Sequence, residues 1–426
     1  MLGQGIDPQA LAILAGCILL WGLASARLER WNISSAMAFI AFGLICANEP
    51  LSLLKVQPGS EAVRAIAQVA LAMVLFTDAL RVNLRRLRGE VGSPVRLLTI
   101  GMPLTIAFGT VAALWTLGSV NPWVAAVIAT AVSPTDANLM APIVDSRWVP
   151  SEVRDELNLE SGLNDGIATP IFTFFLAEAV NDLGGSGQSP AIALWGMLGG
   201  AVGGFVIGLI GARLLRLATA RGWAGRRHHA LAVLALALFL YGGALSVHAN
   251  GFVAAFAGGV GFGAAWFSPG RDSTTSEARD DSLTLANGGG QLLSMIVWFL
   301  FGALLVTSLE HASWAAVGYA ALSLTLVRGL AIAISMLGSR HDRTTRAFVA
   351  WFGPRGLATV VFALLAYGEL REGQANFVLG VVTCVVLMSV VAHGATAAVG
   401  ARWFARRQDG GRGLPHGAGG EHGYAT

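Results

Sequence analysis

Runs of mostly apolar residues recur along almost the whole of this 426-residue chain. Each run is long enough, at about 20 residues, to cross the hydrocarbon core of a bilayer as a helix. The charged fraction agrees, since Asp, Glu, Lys and Arg make up 12% of the chain against about 25% in soluble proteins. The chain is therefore predicted to be an all-α polytopic membrane protein with about 13 transmembrane helices. The predicted spans centre near Leu19, Phe39, Met73, Ile106, Ser133, Phe172, Phe205, Leu236, Phe256, Trp298, Leu322, Leu357 and Val386.

The positions of the basic residues predict the orientation, because Lys and Arg are enriched in cytoplasmic loops. Each basic cluster follows an odd-numbered predicted span. The clusters are Arg27/Arg30, Arg81/Arg85/Arg86/Arg88, Arg147/Arg154, Arg213/Arg216/Arg221/Arg226/Arg227, Arg271/Arg279, Arg340/Arg343/Arg346 and Arg402/Arg406/Arg407. This alternation predicts that the N-terminus is external and the C-terminus is cytoplasmic. The protein is predicted to span the lipid of the cell inner membrane. The predicted transmembrane domain covers residues 1–405, and the Gly-rich tail 406–426 is predicted to be disordered.

Two predicted spans are interrupted in their middles, the fifth by Ser133-Pro134-Thr135-Asp136 and the twelfth by Gly353-Pro354-Arg355-Gly356. Proline removes a backbone donor and glycine loosens a helix. Broken helices are tolerated at membrane depth only where they are buried in protein or line a cavity. The two interrupted spans lie seven positions apart in the order of spans, and because seven is odd the two helices run in opposite directions. Paired interruptions of this kind predict inverted repeats with two broken, crossing helices around a transport site.

Ionisable residues within the predicted spans are costly and are therefore functional candidates. They are Asp78, Asp136, Glu160, Asp165, Arg328 and Arg355. Ser161 and Asp165 are four residues apart and share a helix face, whereas Glu160 and Asn164 share the neighbouring face. The first face offers a carboxylate and a hydroxyl to a hard cation, which prefers oxygen ligands. Asp136 and the carbonyl groups freed by the break at Pro134 would complete such a site.

The roles of the charged residues are predicted from whether each one can pair with a residue of opposite charge. Glu160 and Arg355 are predicted to form a structural ion pair, because intramembrane charges usually pair, and Arg328 is also expected to be structural. Asp136 and Asp165 are predicted to be functional, since with Glu160 the acids outnumber the arginines and neither aspartate lies at a membrane edge. Asp78 lies beside a basic loop, so ligation or ion access remains open against helix capping or snorkelling.

Four segments carry a family resemblance: Leu75-Phe76-Thr77-Asp78-Ala79-Leu80, Ser133-Pro134-Thr135-Asp136, Glu160-Ser161-Gly162-Leu163-Asn164-Asp165-Gly166 and Gly353-Pro354-Arg355-Gly356. In this order they resemble the NhaP-type monovalent cation/proton antiporters, which are related to animal sodium/hydrogen exchangers. The resemblance covers essentially residues 10–405. Two positions depart from the family pattern. Ala137 stands where many members have proline, and no glycine follows soon after Asp78.

The resemblance implies a homodimer of thirteen-helix protomers, each with a dimerisation part and a moving six-helix core. It implies that Asp165 alternates between a proton and a cation, with Asp165 and Asp136 as the main Na⁺ ligands and Ser161, Thr135 and Asp78 as further ligands. It also implies that Glu160 pairs with Arg355. Asn164 occupies the position where electrogenic relatives carry a second aspartate, which implies one-for-one exchange.

Other function classes fit the sequence less well. A transporter of small organic substrates would need a larger pocket with arginine or helix N-termini facing an anion. A channel would need a filter or rings of charge, and the HExxH and GxSxG motifs of two enzyme classes are absent. We expect no resident cofactor, no enzymatic activity and no nucleic-acid partner. The motifs leave the choice among Na⁺, K⁺ and Li⁺ open.

Overall fold

The computed structural model describes residues 7–81, 92–136, 139–144, 146, 148–185, 189–267 and 275–409. Every regular element in these ranges is a helix. The helices are α1 (Pro8–Arg30), α2 (Ser35–Ala47), α3 (Glu61–Leu80), α4 (Ser93–Thr116), α5 (Pro122–Ala131), α6 (Ala141–Val144), α7 (Ser151–Asp182), α8 (Pro190–Ala220), α9 (Arg226–Ser246), α10 (Gly251–Trp266), α11 (Thr275–Leu309), α12 (Trp314–Ser335), α13 (Arg343–Trp351), α14 (Leu357–Glu369) and α15 (Glu372–Asp409). Helices α4 and α12 each contain one π-helical turn, over Leu97–Gly101 and Ser323–Val327.

The helices confirm the predicted all-helical, polytopic fold. Within the described ranges, 8 helices are long and apolar enough to cross a membrane, and shorter apolar helices accompany them. Each predicted span centre falls within a helix or at a break between two helices. The count of thirteen crossings stays a prediction. The arginines at 85, 86, 88, 147 and 271, Ala137 and the tail from residue 410 lie outside the described residues.

Side-chain caps explain where many of these helices begin. Ser, Asn and Asp side chains accept hydrogen bonds from backbone N–H groups of the first turn, which have no partner within the helix. Such caps precede α2, α3, α5, α8, α10, α12 and α13, and the capping residues are Ser34, Ser60, Asn121, Ser189, Asn250, Ser313 and Asp342.

Both predicted interruptions are present, and the two irregular segments touch. After α5 ends at Ala131, residues 133–136 are not helical, and residues 352–356 between α13 and α14 are likewise not helical. The Asp136 amide donates to the Pro354 carbonyl at 2.9 Å, and the Leu357 amide donates to Asp136 Oδ2 at 3.0 Å. A Cβ on Gly356 would overlap the Asp136 side chain, so glycine is required for this close approach. Asp136 therefore caps the first turn of α14.

Small residues allow the helices outside the breaks to pack backbone to backbone. Glycines recur every four residues along one face of α8, at positions 196, 200, 204 and 208, and a Cβ on any of them would crowd the backbone of residues 248–258. This small-xxx-small pattern is typical of close membrane-helix packing. Helix α10 in turn places Gly259 and Gly263 against the backbone of α3.

These contacts define two groups of helices. The first bundle, α1–α3 and α8–α11, is linked by the glycine contacts and by α2 packing on α11. The second bundle, α4–α7 and α12–α15, surrounds the two breaks. The face between the two bundles contains the candidate site.

Candidate functional site

A cavity of about 200 Å³ lies between the two bundles. The residues of the first bundle that line it are Ser34, Ser35, Ala36, Val74, Thr77, Asp78, Arg81, Gly290, Gln291, Ser294 and Trp298. The residues of the second bundle that line it are Thr135, Asp136, Leu139, Ser161, Asp165 and Leu357. All of the residues predicted to bind the cation line this one space: Asp78, Thr135, Asp136, Ser161 and Asp165. The predicted ligands therefore converge, although they come from three separate parts of the sequence.

Asp165 is the least satisfied of these groups. It is 8% exposed, and its Oδ1 has no hydrogen-bond partner within the described part of the chain. The Thr169 hydroxyl does not supply one, because it donates to the main-chain carbonyl of Asp165 at 2.6 Å. A buried carboxylate oxygen is costly to keep charged without a partner, and a bound proton or cation would offset that cost.

Thr135 and Asp136 are held in place by hydrogen bonds from neighbouring elements. Ser161 Oγ donates to the Thr135 carbonyl at 2.8 Å, and Asn164 Nδ2 donates to Thr135 Oγ1 at 2.7 Å. Helix α7 thus fixes the first break from one side, while the Asp136 bonds to Pro354 and Leu357 fix it from the other. Asn164 supports the site through Thr135 and does not line the cavity.

Glu160 forms its ion pair with Arg328, within the second bundle, which corrects the expected pairing of Glu160 with Arg355. Arg328 donates to both carboxylate oxygens, at 3.1 and 3.3 Å, and both side chains are buried. Gly353 explains part of this preference, since a Cβ there would overlap the Arg328 guanidinium. Arg328 also donates to the Val349 carbonyl at 3.3 Å.

Arg355, which is fully buried, interacts with the first break instead. Its Nη1 donates to the carbonyl groups of Ser133 and Pro134. These carbonyls are available because α5 ends there, and a helix C-terminus carries partial negative charge. The Arg355 amide donates to Ser389 Oγ at 2.7 Å, which ties the second break to α15.

Sequence reasoning missed several residues at the site. Gln291 and Ser294 face the cavity from α11, and as polar residues within an apolar span they could have been recognised. Ser389 and His393 support the second break from α15, where His393 Nε2 lies 2.9 Å from the Trp351 carbonyl oxygen. Their pairing with residues some 40 positions earlier leaves no local sequence signal.

Comparison with known proteins places these residues in a family context. A family described as the transmembrane sodium/hydrogen exchangers matches residues 12–403. The chain is 24% identical over 375 residues to a K(+)/H(+) antiporter NhaP of Alkalimonas amylolytica, covering 86% of this chain and 62% of the relative. It is 23% identical over 395 residues to a K(+)/H(+) antiporter NhaP2 of Shewanella sp. (strain MR-4), covering 92% and 66%. The chain thus spans slightly less than two thirds of these relatives.

The fold is also similar to a solved structure. The sodium proton antiporter MjNhaP1 from Methanocaldococcus jannaschii at pH 8 superposes with a TM-score of 0.74 at 19% sequence identity. The match covers 93% of this chain and 98% of that one. At this identity the similarity establishes a shared fold.

Proposed function

Because this chain belongs to the sodium/hydrogen exchanger family, we propose that it is a secondary antiporter that exchanges a monovalent cation for a proton across the membrane. The observation that carries the proposal is the buried Asp165 oxygen, which has no partner among the described residues, at a cavity that the four other predicted ligands also line. Hard monovalent cations are bound by carboxylates, hydroxyls and carbonyls. Asp165 and Asp136 would be the charged ligands, and Ser161, Thr135 and Asp78 would supply further oxygen atoms.

Exchange is obligatory because an uncompensated charge within the membrane is costly. A bare carboxylate at mid-membrane costs several kcal/mol, so the protein does not reorient readily while Asp165 is empty. Either a proton or a cation neutralises the carboxylate and permits reorientation. Asp165 binds one or the other, so each cation carried in one direction is matched by a proton carried in the other.

The residues around the site support a one-for-one ratio. Asn164 is uncharged and donates to Thr135, and Glu160 is already neutralised by Arg328. Asp165 is then the one group of α7 at the cavity that needs a mobile positive charge. Arg355 holds the carbonyl groups of the first break and Arg328 pairs with Glu160, so both arginines are assigned structural roles.

We propose Na⁺, with K⁺ and Li⁺ as further substrates, because relatives named as potassium antiporters and a sodium antiporter of the same fold both match this chain. A homodimer in the cell inner membrane, with the arginine-rich loops in the cytoplasm, completes the proposal. A transporter of small organic substrates is disfavoured by the acidic lining and by a volume of about 200 Å³, since pockets for such molecules usually occupy about 300–1,000 Å³.

The experiment is proton movement reported by a pH-sensitive dye in reconstituted vesicles, with Na⁺, K⁺, Li⁺ or choline added in turn. We expect an alkali cation, and not choline, to drive proton movement. Asp165→Asn should abolish the response, whereas Glu152→Gln, which removes an exposed acid from the start of the same helix, should retain it. Cation-driven proton movement by correctly folded Asp165→Asn would remove Asp165 from the mechanism.

A further inference from the structure

The interface between the two bundles is open on one side of Asp165 and closed on the other. The cavity reaches the ends of helices that carry Arg30 and Arg81, because Ser34, Ser35 and Arg81 are among its lining residues. This end is the arginine-rich face, which is cytoplasmic in the predicted orientation. From Asp165 toward the opposite face, the same two bundles are in direct contact.

The first contact lies immediately next to the carboxylate. The Phe256 ring, on α10 of the first bundle, lies against Gly166, the residue after Asp165 on α7 of the second bundle. A Cβ on Gly166 would overlap three atoms of that ring. Because glycine permits this approach, the aromatic ring closes the interface within one residue of the proposed ion-binding group.

The second contact lies two helical turns farther from the cavity. Asn250 Nδ2, at the start of α10, donates to Thr173 Oγ1 on α7 at 3.4 Å. Thr173 follows Gly166 by seven residues, so both face the first bundle on one side of α7. The two contacts therefore lie along one face of α7.

The third contact is an ion pair near the face opposite the arginines. Arg64, in the second turn of α3, pairs with Glu369 at the end of α14. Their side chains are 41% and 46% exposed. Exposed pairs contribute little to global stability, yet such a pair is sufficient to bias a two-state equilibrium by up to about fivefold.

We propose that these three contacts, Phe256 on Gly166, Asn250 with Thr173 and Arg64 with Glu369, form a seal that closes the ion path on the face opposite the arginine-rich loops. The proposal rests on the proposed exchange function, because alternating access requires that only one side of the site be open at a time. The seal lies in the same interface as the cavity, on the other side of Asp165. All three contacts must therefore separate before Asp165 can exchange its ligand with that face.

A reversible cross-link tests the requirement for separation. Thr173→Cys and Asn250→Cys together place two thiols where the hydrogen bond now joins the bundles. In vesicles, oxidation of the double variant should reduce cation-driven proton movement at least tenfold, and a reducing agent should restore it. Each single variant should be insensitive to the oxidant, which controls for the native cysteines Cys17, Cys46 and Cys384. Undiminished exchange after complete cross-linking would overturn the seal.

The ion pair is tested by chemical accessibility, which does not depend on transport activity. Thr169 is fully buried and lies between Gly166 and Thr173 on α7. In Thr169→Cys protein, adding Arg64→Gln should raise the rate of labelling by a membrane-impermeant thiol reagent, applied from the face opposite the arginines, by up to about fivefold. The charge-swapped pair Arg64→Glu/Glu369→Arg should return the rate to its starting value. Arg371→Gln, which removes an exposed arginine near the same face, should leave it unchanged.

An unchanged labelling rate in Arg64→Gln protein would remove the ion pair from the seal. Failure of the proposed function would look different. The unmodified protein would then show no cation-driven proton movement, while the labelling rates would still report whether the bundles separate.

Discussion

Glu160 and Asp165 are two acids on the same helix, with almost the same exposure, at 6% and 8%. Glu160 receives two hydrogen bonds from Arg328, whereas Asp165 has one oxygen that no group in the described ranges hydrogen-bonds, beside a cavity. Burial alone therefore does not distinguish a structural acid from a functional one. The difference is whether the protein itself supplies the compensating charge.

The two acids also occupy different surroundings. Glu160 lies within the second bundle, where a fixed partner stabilises the fold. Asp165 lies at the face between bundles, where a mobile cation or proton can reach it. An arginine paired permanently with Asp165 would neutralise the carboxylate and would remove the need for a transported ion.

The largest stability effect is expected from removing the fixed partner. Arg328→Met leaves Glu160 buried without its counter-charge, and breaking a buried pair on one side usually costs about 3–5 kcal/mol. The midpoint of thermal unfolding in detergent should fall accordingly. Replacing both partners, as Glu160→Leu/Arg328→Met, should recover most of the loss. A single variant as stable as the unmodified protein would show that the pair is not a main support of the fold.

A second change gives α7 an additional acid without a partner. Asn164→Asp removes the amide that donates to Thr135 and adds a negative charge next to Asp165. If that charge must also be neutralised by a mobile ion, exchange should slow and should respond to membrane potential. The measurement compares dye-reported rates in vesicles with and without a potassium-valinomycin potential. An equal response in the variant and the unmodified protein would contradict this interpretation of Asn164.

The smallest effect is expected for an acid outside the membrane. Asp342 caps α13, and hydrogen bonds from the side chain and amide of Thr345 hold the pKa of its carboxyl below its usual range. A lowered pKa in the folded state stabilises the fold at pH values above the ordinary pKa, and the benefit disappears as pH falls through the lowered value. Asp342→Ala should therefore cost about 1 kcal/mol near pH 7 and progressively less in acid. A cost that is independent of pH would indicate that the charge of Asp342 contributes nothing.

The sequence predicted those parts of the site that depend on local rules. The Pro and Gly residues of the two breaks identify where a helix must end, and the four-residue spacing of Ser161 and Asp165 places both on one face. The partner of Glu160 could not be predicted in this way. Two arginines were available, and the choice depended on the free carbonyls at the end of α5, which take Arg355, and on the space that Gly353 leaves for Arg328.

The contacts of the seal also could not be predicted from the sequence. Phe256 is one of 20 phenylalanines in the chain, and it lies in an apolar run where an aromatic residue is ordinary. Its position against Gly166 results from the packing of α10 on α3 and α8, which brings together residues some 90 positions apart. Interfaces between separate bundles depend on such long-range packing and carry little local signal.

The central claim is that one carboxyl, Asp165, holds either a proton or a cation. The most direct measurement is the number of protons released when Na⁺ or K⁺ binds to purified protein in weakly buffered detergent solution near the pH at which exchange is fastest. The account predicts close to one proton released per cation bound, and neither saturable binding nor proton release for Asp165→Asn. Saturable cation binding without proton release, or release that persists in Asp165→Asn, would contradict it.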